Sequence, residues 1–347
     1  MATAAAATLK RVRSSSLVDA VGLLLLAGIL LWLVVEFFQD PTRFINVGII
    51  GLTNGAIYGL VALGYTLVYG ILQLINFAHG DVFALSGLVS STVLVSVLGM
   101  DADTGVLMVI VGMLVTLAIT IPLFAIINGS IERVAYKPLR HAPRLAPLIT
   151  AVGMSFIVQN VSLAIYGVDF ESVPPFIPRT AAITIGDVVI QWNKLAVFLV
   201  VIPVLATLTW FVRSTRQGKA MRAVSQDTEA SAMMGIDVNR TISVTFFLAG
   251  ALAAVAGLVY LLQFNMRYDT GFELGLIAFT AAVLGGIGNL TGAVLGAMVI
   301  GLVQAFNEGL DGTPGSDWTR SIVFGILIAI LVFRPQGILG ERTPEGA

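Results

Sequence analysis

The sequence predicts an all-α polytopic membrane protein with about nine or ten transmembrane helices, some of them broken or re-entrant. Hydrophobic residues make up 57% of the 347 residues and charged residues only 11%, whereas a soluble domain carries about a quarter charged residues. Several apolar runs also exceed the ~18 residues that indicate a membrane-spanning helix. The alternating ~10-residue segments that are typical of a membrane β-barrel are not found.

Nine apolar segments are the candidate spans: 17–38, 44–75, 82–99, 106–128, 146–167, 194–212, 241–263, 275–306 and 320–334. The first follows Lys10, Arg11 and Arg13, as the core of a signal peptide does. It is longer than such a core and lacks a convincing cleavage site. We therefore interpret residues 1–43 as a cytoplasmic N-terminus with a retained extra helix.

The distribution of charges sets the orientation of the spans. One side is rich in Lys and Arg. It contains the N-terminus, the loops 129–145 and 213–240 and the tail 341–347. By the positive-inside rule this side, which we call the basic end, is cytoplasmic and includes both termini. The opposite side, the acidic end, carries Asp101, Asp103, Asp169, Glu171, Asp187, Asp269, Glu273, Glu308, Asp311 and Asp317.

Segment 275–306 begins and ends at the acidic end, so it must cross an even number of times or re-enter. Gly285, Gly286 and Gly288 are the residues expected to break it. Counting it as two crossings gives ten in all.

Segment 44–75 must cross an odd number of times. Its 32 residues would make a helix of ~48 Å, against a hydrocarbon core of ~30 Å, so it is expected to be tilted or broken. Glycines recur every fourth residue in both long segments, which indicates close helix packing or helices that flank a transport path. These glycines are Gly51, Gly55, Gly59, Gly288, Gly292 and Gly296.

The stretch NFAHGD, residues 76–81, places a histidine between two apolar runs. A zinc site needs three or four ligands, yet the chain has two histidines, of which His141 lies in another loop, and no cysteine. We therefore expect no metal site and no catalytic residues. Gly80 permits a turn, Asp81 can cap a helix that starts at Val82, and Asn76 and His79 would satisfy freed backbone groups. A role in gating the cytoplasmic exit is the alternative.

Loop 213–240 has apolar residues at helical spacing among its charges. Asp227 is expected to cap a short helix that Gly235 ends. The loop is either an amphipathic helix on the lipid headgroups or a docking knob for a cytoplasmic partner. If the loop docks a partner, the residues expected to form the contact are Asp227 and Gly235 together with Arg216, Gly218, Arg222, Glu229, Ala230, Met233 and Met234.

Polar side chains inside the long segments are candidates for the translocation path, with hydrogen bonds between helices as the alternative. They are Asn54, Tyr58, Tyr65, Tyr69, Asn76, Thr280, Asn289, Thr291 and Gln304. None is charged, which argues against a proton or sodium relay and suits a small zwitterion or polar neutral solute.

Several motifs carry a resemblance to a known family. EASAMMG, residues 229–235, is similar to the E-A-A-x-x-x-G coupling element of ABC importer permeases, although the I-x-L-P tail of that element is missing. YTLVYGILQLINFAHGDVF, IERVAYKPLR, FTAAVLGGIGNLTGAVLGA and RPQGILG resemble branched-chain amino-acid permeases of the high-affinity Liv type. The resemblance covers residues 44–340, in order.

The resemblance implies an ABC importer permease fold and a location in the bacterial inner membrane. Its expected partners are a second, related permease, two cytoplasmic ATP-binding subunits and a periplasmic or lipid-anchored solute-binding protein. The chain has no G-x-x-x-x-G-K-[ST] loop, so ATP and Mg²⁺ are expected in the partner subunits and no cofactor or enzyme activity in this one. The basic residues of IERVAYKPLR are expected to contact anionic lipid or, alternatively, the ATPase.

Three other functions remain open at this point. Urea or short-amide permeases look similar and share the GGIG-type break, and sugar permeases are more distant relatives. A stand-alone secondary transporter or channel would need carboxylates or a charged filter within the membrane. A membrane-embedded enzyme would need paired carboxylates within a span, which the sequence lacks. The net charge of −1 implies no nucleic-acid partner.

Overall fold

The computed structural model describes residues 24, 27–140, 142–143, 145–334 and 336–340. Within these ranges, eight helices are long and apolar enough to cross a membrane, and two shorter apolar helices accompany them. The predicted all-α polytopic class is confirmed. One small antiparallel hairpin, which the sequence did not predict, forms the sheet structure of the described residues.

The elements run in the following order. They are α1 (Ala27–Gln39), α2 (Pro41–Leu72), α3 (Ala78–Ser91), α4 (Val106–Ile131), α5 (Leu145–Tyr166), β1 (Ala181–Ile185), β2 (Val188–Gln191), α6 (Trp192–Ser214), α7 (Arg216–Gln226), α8 (Thr228–Met233), α9 (Val238–Leu261), α10 (Thr270–Gly285), α11 (Leu290–Gly309) and α12 (Ser316–Phe333). A π-helical turn, Thr92–Val97, extends α3. A second, Glu132–Tyr136, and a 3₁₀ turn, Lys137–Leu139, extend α4.

Helix α2 is the central element of the fold. Every residue from 53 to 68 is buried, because α9, α10 and α11 pack around it. Its contact with α11 is close enough to require glycine: a Cβ on Gly55 would lie 2.7 Å from the Cα of Met298, and one on Gly301 would lie 2.4 Å from the Gly51 carbonyl oxygen. Small residues thus allow the two backbones to approach.

The sequence predicts that segment 44–75 is tilted or broken, and the break is wrong, because α2 is one continuous helix of 32 residues. The side chain of Asp40 accepts the Arg43 N–H at 2.9 Å and caps its first turn. Its last turn ends at Gln73, which adopts a left-handed φ of 52°. The tilt of this helix stays a prediction.

The predicted division of segment 275–306 is confirmed. Helix α10 ends at Gly285, and Gly286 and Gly288 turn the chain with φ of 104° and 93°. Only glycine adopts such values readily. Asn289 then caps α11 by accepting the Gly292 N–H at 3.0 Å, so the two helices form a hairpin between the acidic and basic ends.

The outer helices carry the exposed apolar surface that suits a lipid environment. Leu107 on α4, Ile149 on α5, Leu199 on α6 and Val332 on α12 are all exposed. The added N-terminal helix is described only in part, since the predicted span 17–38 begins outside the described residues. The predicted tail, 341–347, also lies outside them.

Candidate translocation and coupling site

Helix α7 is held against the membrane helices by its apolar face. The Thr215 hydroxyl oxygen caps it by accepting the Gly218 N–H at 3.0 Å. Gly218 contacts the end of α6 so closely that a Cβ would lie 2.3 Å from the Val212 carbonyl oxygen. Met221 and Val224 are buried. The apolar face of α7 therefore packs on protein and not on lipid headgroups.

Arg222 also holds α7 against the C-terminal end of α6. Its guanidinium donates to the carbonyl oxygens of Val212 and Arg213, which are free at the C-terminal end of α6. A cation there also complements the helix dipole. Arg216, at the start of α7, is exposed and makes no such contact among the described residues.

Helix α8 begins and ends where the sequence predicts. The Asp227 carboxylate accepts the Ala230 N–H at 2.8 Å, and Gly235 stops the helix with a φ of 84°. Ser231 is buried and fixes the inner side of the helix. The chain then enters α9 directly, because Asp237 caps it by accepting the Arg240 N–H at 2.9 Å.

The outer side of α8 presents two methionines. Met233 and Met234 are both 83% exposed, and Glu229 beside them is exposed too. Flexible, polarizable methionine side chains suit an adaptable contact with another protein surface. Together, α7 and α8 form a small projection at the basic end, which we call the coupling segment.

An outer cavity of about 360 Å³ opens at the acidic end. Asn54 and Tyr58 line it from α2, and Gln304 and Glu308 line it from α11. The Tyr58 hydroxyl donates to Gln304 Oε1 at 2.7 Å, and Gln304 Nε2 donates to Glu308 Oε1 at 3.1 Å. Three of the predicted path residues, Asn54, Tyr58 and Gln304, therefore belong to this cavity.

An inner cavity of about 560 Å³ opens at the basic end. Asn289 and Thr291 from the α10–α11 hairpin line it, facing Tyr69 and Gln73 at the end of α2. Arg222 from α7 is also in its wall. Three further predicted path residues, Tyr69, Asn289 and Thr291, thus lie beside the coupling segment.

A closed region, which we call the septum, lies on α2 between the levels of the two cavities, because Tyr65 lies between Tyr58 and Tyr69. Tyr65, Asn76 and Phe279 meet there around a gap with no room for a water molecule. The predicted path residue Thr280 is buried, and its hydroxyl donates to the Leu276 carbonyl oxygen within α10 at 2.8 Å. The structure therefore brings the predicted path residues to three levels and does not join them in one site.

The predicted roles of Gly80 and Asp81 are wrong. Helix α3 begins at Ala78 and not at Val82, so Gly80 lies in its first turn and the break is at residues 73–77. Gly80 serves close packing instead, since a Cβ there would lie 2.3 Å from the Gly271 carbonyl oxygen. Asp81 caps no helix; its carboxylate accepts the Ser155 hydroxyl on α5.

Asn76 and His79 do not satisfy freed backbone groups as predicted. Asn76 Oδ1 accepts the hydroxyl of Tyr136 at 2.8 Å. The His79 ring is fully buried with no hydrogen bond to either nitrogen among the described residues. It packs edge-on against Tyr65, with ring centroids 4.9 Å apart. His141 lies outside the described residues.

A buried ion pair in IERVAYKPLR escaped the sequence analysis. Glu132 is 1% exposed and pairs with Arg140, which also donates to Asn239 near the start of α9. Ser243 completes the arrangement by donating to Glu132 at 2.8 Å. Arg140 therefore binds protein groups and not lipid. The one available signal was a lone acidic residue at the end of a long apolar segment.

The motif RPQGILG closes the C-terminal end of α10. The N–H groups of Ile338 and Leu339 donate to the carbonyl oxygens of Leu284 and Gly285, at 2.8 and 3.0 Å. Asn289 donates in turn to the Leu339 carbonyl oxygen at 3.0 Å. These contacts satisfy carbonyls that the broken helix would otherwise leave free.

Comparison with known proteins agrees with this architecture. The family model of branched-chain amino acid transport system permease components matches residues 48–332. The high-affinity branched-chain amino acid transport system permease protein BraD of Pseudomonas aeruginosa is 39% identical over 89% of this chain and 99% of its own length. The corresponding permease protein LivH of Escherichia coli is 37% identical over 85% of this chain and 95% of its own.

The chain therefore belongs to the family of permease components of branched-chain amino acid transport systems.

Proposed function

We propose that this multi-pass membrane protein is the permease subunit of an ATP-driven importer of branched-chain or other small neutral amino acids. Its family membership and the transport systems to which relatives of 37–39% identity belong support this substrate class. The neutral hydrogen-bonding groups on α2 and α11 suit a cargo with both charges on one small molecule.

The importer would contain more chains than this one. Its other parts are a second, related permease, two ATP-binding subunits and a solute-binding protein. The ATP-binding subunits would hold ATP and Mg²⁺ at the basic end, which faces the cytoplasm of a bacterial cell with its inner membrane. The solute-binding protein would deliver the amino acid to the acidic end.

The observation that carries the proposal is the exposure of Met233 and Met234 on a helix fixed at both ends. A motion imposed on α8 by an ATP-binding subunit would reach α9 through the short link at Gly235, and would reach α6 through α7. The same motion would act on the inner cavity, because Arg222 and Asn289 share its wall. Opening that cavity while the outer one closes would pass the amino acid inward.

Replacing Met234 by glutamate in the reconstituted importer tests the proposal. A charge at this contact would impair docking of the ATP-binding subunit, because Met234 is 83% exposed and its replacement costs no core packing. ATP-dependent leucine uptake into proteoliposomes should fall at least about tenfold, while the amount of inserted permease stays unchanged.

Thr184→Glu is the matched control, since Thr184 is exposed on β1 at the acidic end and gains the same charge. Its uptake should equal that of the unchanged protein. Normal uptake by the Met234→Glu protein, with the ATP-binding subunits present, would contradict the role of α8. Failure of the unchanged importer to take up leucine would contradict the proposed cargo.

A further inference from the structure

Four of the five charged side chains around the outer cavity neutralise each other. Arg267 donates through Nε and Nη2 to Asp269, both at 2.6 Å. Arg320 donates through Nε and Nη2 to Glu273, at 2.6 and 2.8 Å. Bidentate pairs of this kind are geometrically well defined, so the two guanidinium groups carry no free charge toward the cavity.

Glu308 is the fifth charged side chain, and it has no cationic partner in the described part of the chain. Gln304 and Thr319 both donate to its Oε1, at 3.1 and 3.0 Å. These neutral donors orient the carboxylate and leave its charge uncompensated. Glu308 therefore favours a cationic group at its end of the cavity.

Asn54 provides a separate indication of a ligand. Its side chain is only 7% exposed and lines the cavity, yet it makes no hydrogen bond with any described residue. Its amide atoms are open to the cavity, because they are not among the buried polar atoms that lack a partner, and a carboxylate in the cavity could accept its N–H groups. Asn54 and Glu308 thus offer a donor and an acceptor to one small molecule.

Part of the remaining wall of the cavity is apolar. Tyr260, Phe264, Leu274 and Ile277 contribute it from α9 and α10 and the turn between them. The volume of about 360 Å³ lies within the range of ~300–1,000 Å³ that is usual for small-molecule sites. An apolar side chain of a bound molecule would be shielded from water here.

We propose that the outer cavity is a binding subsite of the permease itself for the zwitterion of an apolar α-amino acid. The ammonium group binds at Glu308, the carboxylate at Asn54, and the side chain against Tyr260 and Ile277. The proposal rests on the proposed function for its cargo and adds that this chain selects for the ammonium group. An amino acid that the solute-binding protein releases is therefore selected a second time, by this cavity, before it crosses the septum.

The absence of cysteine from the sequence makes a direct test possible. Asn265 lines the cavity and is exposed, so an Asn265→Cys variant places one thiol at the site without disturbing the core. The rate of its alkylation by a water-soluble thiol reagent is measured on this chain in the complete membrane-embedded complex, without solute-binding protein. Millimolar L-leucine should slow alkylation, and 4-methylpentanoate, which lacks the ammonium group, should not.

Two variants in the Asn265→Cys background address the assigned groups. Glu308→Gln should raise the leucine concentration for half-protection about threefold to fivefold, the range that an exposed ion pair supports. Asn54→Leu should raise it about tenfold, because a buried donor to a charged group is lost. Asp317→Asn is the matched control: it removes an exposed acidic residue of the same end that does not line the cavity, and it should leave protection unchanged.

The outcomes separate this proposal from the proposed function. Equal protection by leucine and 4-methylpentanoate, or protection that Glu308→Gln leaves unchanged, would overturn the subsite even if the complex imports leucine. No protection by leucine in a complex that imports it would do the same. Protection by urea alone, together with uptake of urea and not leucine, would overturn both. An Asp103→Cys thiol, exposed at the same end outside the cavity, reports any direct effect on the reagent.

Discussion

The hydroxyl of Tyr136 donates to Asn76 Oδ1 across 2.8 Å, and both side chains are buried. This bond joins the π-helical turn after α4 to the break between α2 and α3, at the edge of the septum. On the same segment, Arg140 donates to Asn239 at the start of α9, a few residues beyond α8. Residues 132–140 thus contact both the septum and the helix that follows the coupling segment.

Replacing Tyr136 by phenylalanine should weaken this link while the ring keeps its packing. Asn76 would lose the one side-chain partner it has among the described residues, at a cost of about 1–3 kcal/mol in the free energy of unfolding. We expect lower leucine uptake per ATP hydrolysed in proteoliposomes. Tyr166→Phe is the control, because its hydroxyl contacts Thr92 at 3.1 Å far from residues 132–140. Equal coupling ratios in the two variants would contradict this role of Tyr136.

The buried pair of Glu132 and Arg140 should be far more sensitive than the exposed pair of Arg43 and Asp311. The side-chain exposures are 2% and 13% in the first pair and 42% and 80% in the second. Glu132→Gln leaves Arg140 without its carboxylate, which typically costs about 3–5 kcal/mol. Thermal unfolding of the purified permease should show a large decrease for Glu132→Gln and little change for Asp311→Asn. Similar melting temperatures for the two variants would show that the first pair is not stabilising.

Two glycines one helical turn apart on α2 should respond differently to the same change. A Cβ on Gly55 would lie 2.7 Å from the Met298 Cα, where backbone must move, whereas one on Gly59 would meet ordinary contacts at 3.7 Å. Gly55→Ala should therefore destabilise the protein by about 1–3 kcal/mol, and Gly59→Ala should be tolerated. Denaturation in mixed micelles measures both, and an equal response would refute the close approach of α2 to α11.

Asn289 should tie residues 336–340 to the α10–α11 hairpin. Asn289→Ala removes the cap of α11 and the bond to the Leu339 carbonyl oxygen, so we expect a loss of about 1 kcal/mol. Cleavage of residues 336–340 by added protease should also become faster. Thr291→Ala is the control, because Thr291 lines the same cavity and makes no side-chain hydrogen bond among the described residues. Unchanged protease resistance of Asn289→Ala would argue against the tie.

Features that depend on neighbouring residues could be predicted from the sequence. Asp227 and Gly235 bound α8 through local capping rules, and paired glycines mark the α10–α11 turn. The even number of crossings followed from charge alone. The end of α2 gave no such signal, because Gln73 adopts a left-handed φ that glycine or asparagine usually supplies.

Features that join distant parts of the chain could not be predicted. The sequence around Gly80 suggests a turn, but the residue is a glycine because Gly271, which is distant in the sequence, packs against it. The sequence suggests that Arg140 binds lipid, whereas in the structure it binds Glu132 and Asn239. The three levels of the path residues likewise depend on how α2, α10 and α11 pack, which spacing along each helix does not specify.

The septum has a consequence for the cell's energy supply. At the septum, the gap among Tyr65, Asn76 and Phe279 has no room for a water molecule, so we expect no continuous file of water molecules through it. Protons move readily along such files, and each elementary charge that leaks inward dissipates about 2.3 kcal/mol at 100 mV. We therefore expect the resting permease to conduct no protons along this route.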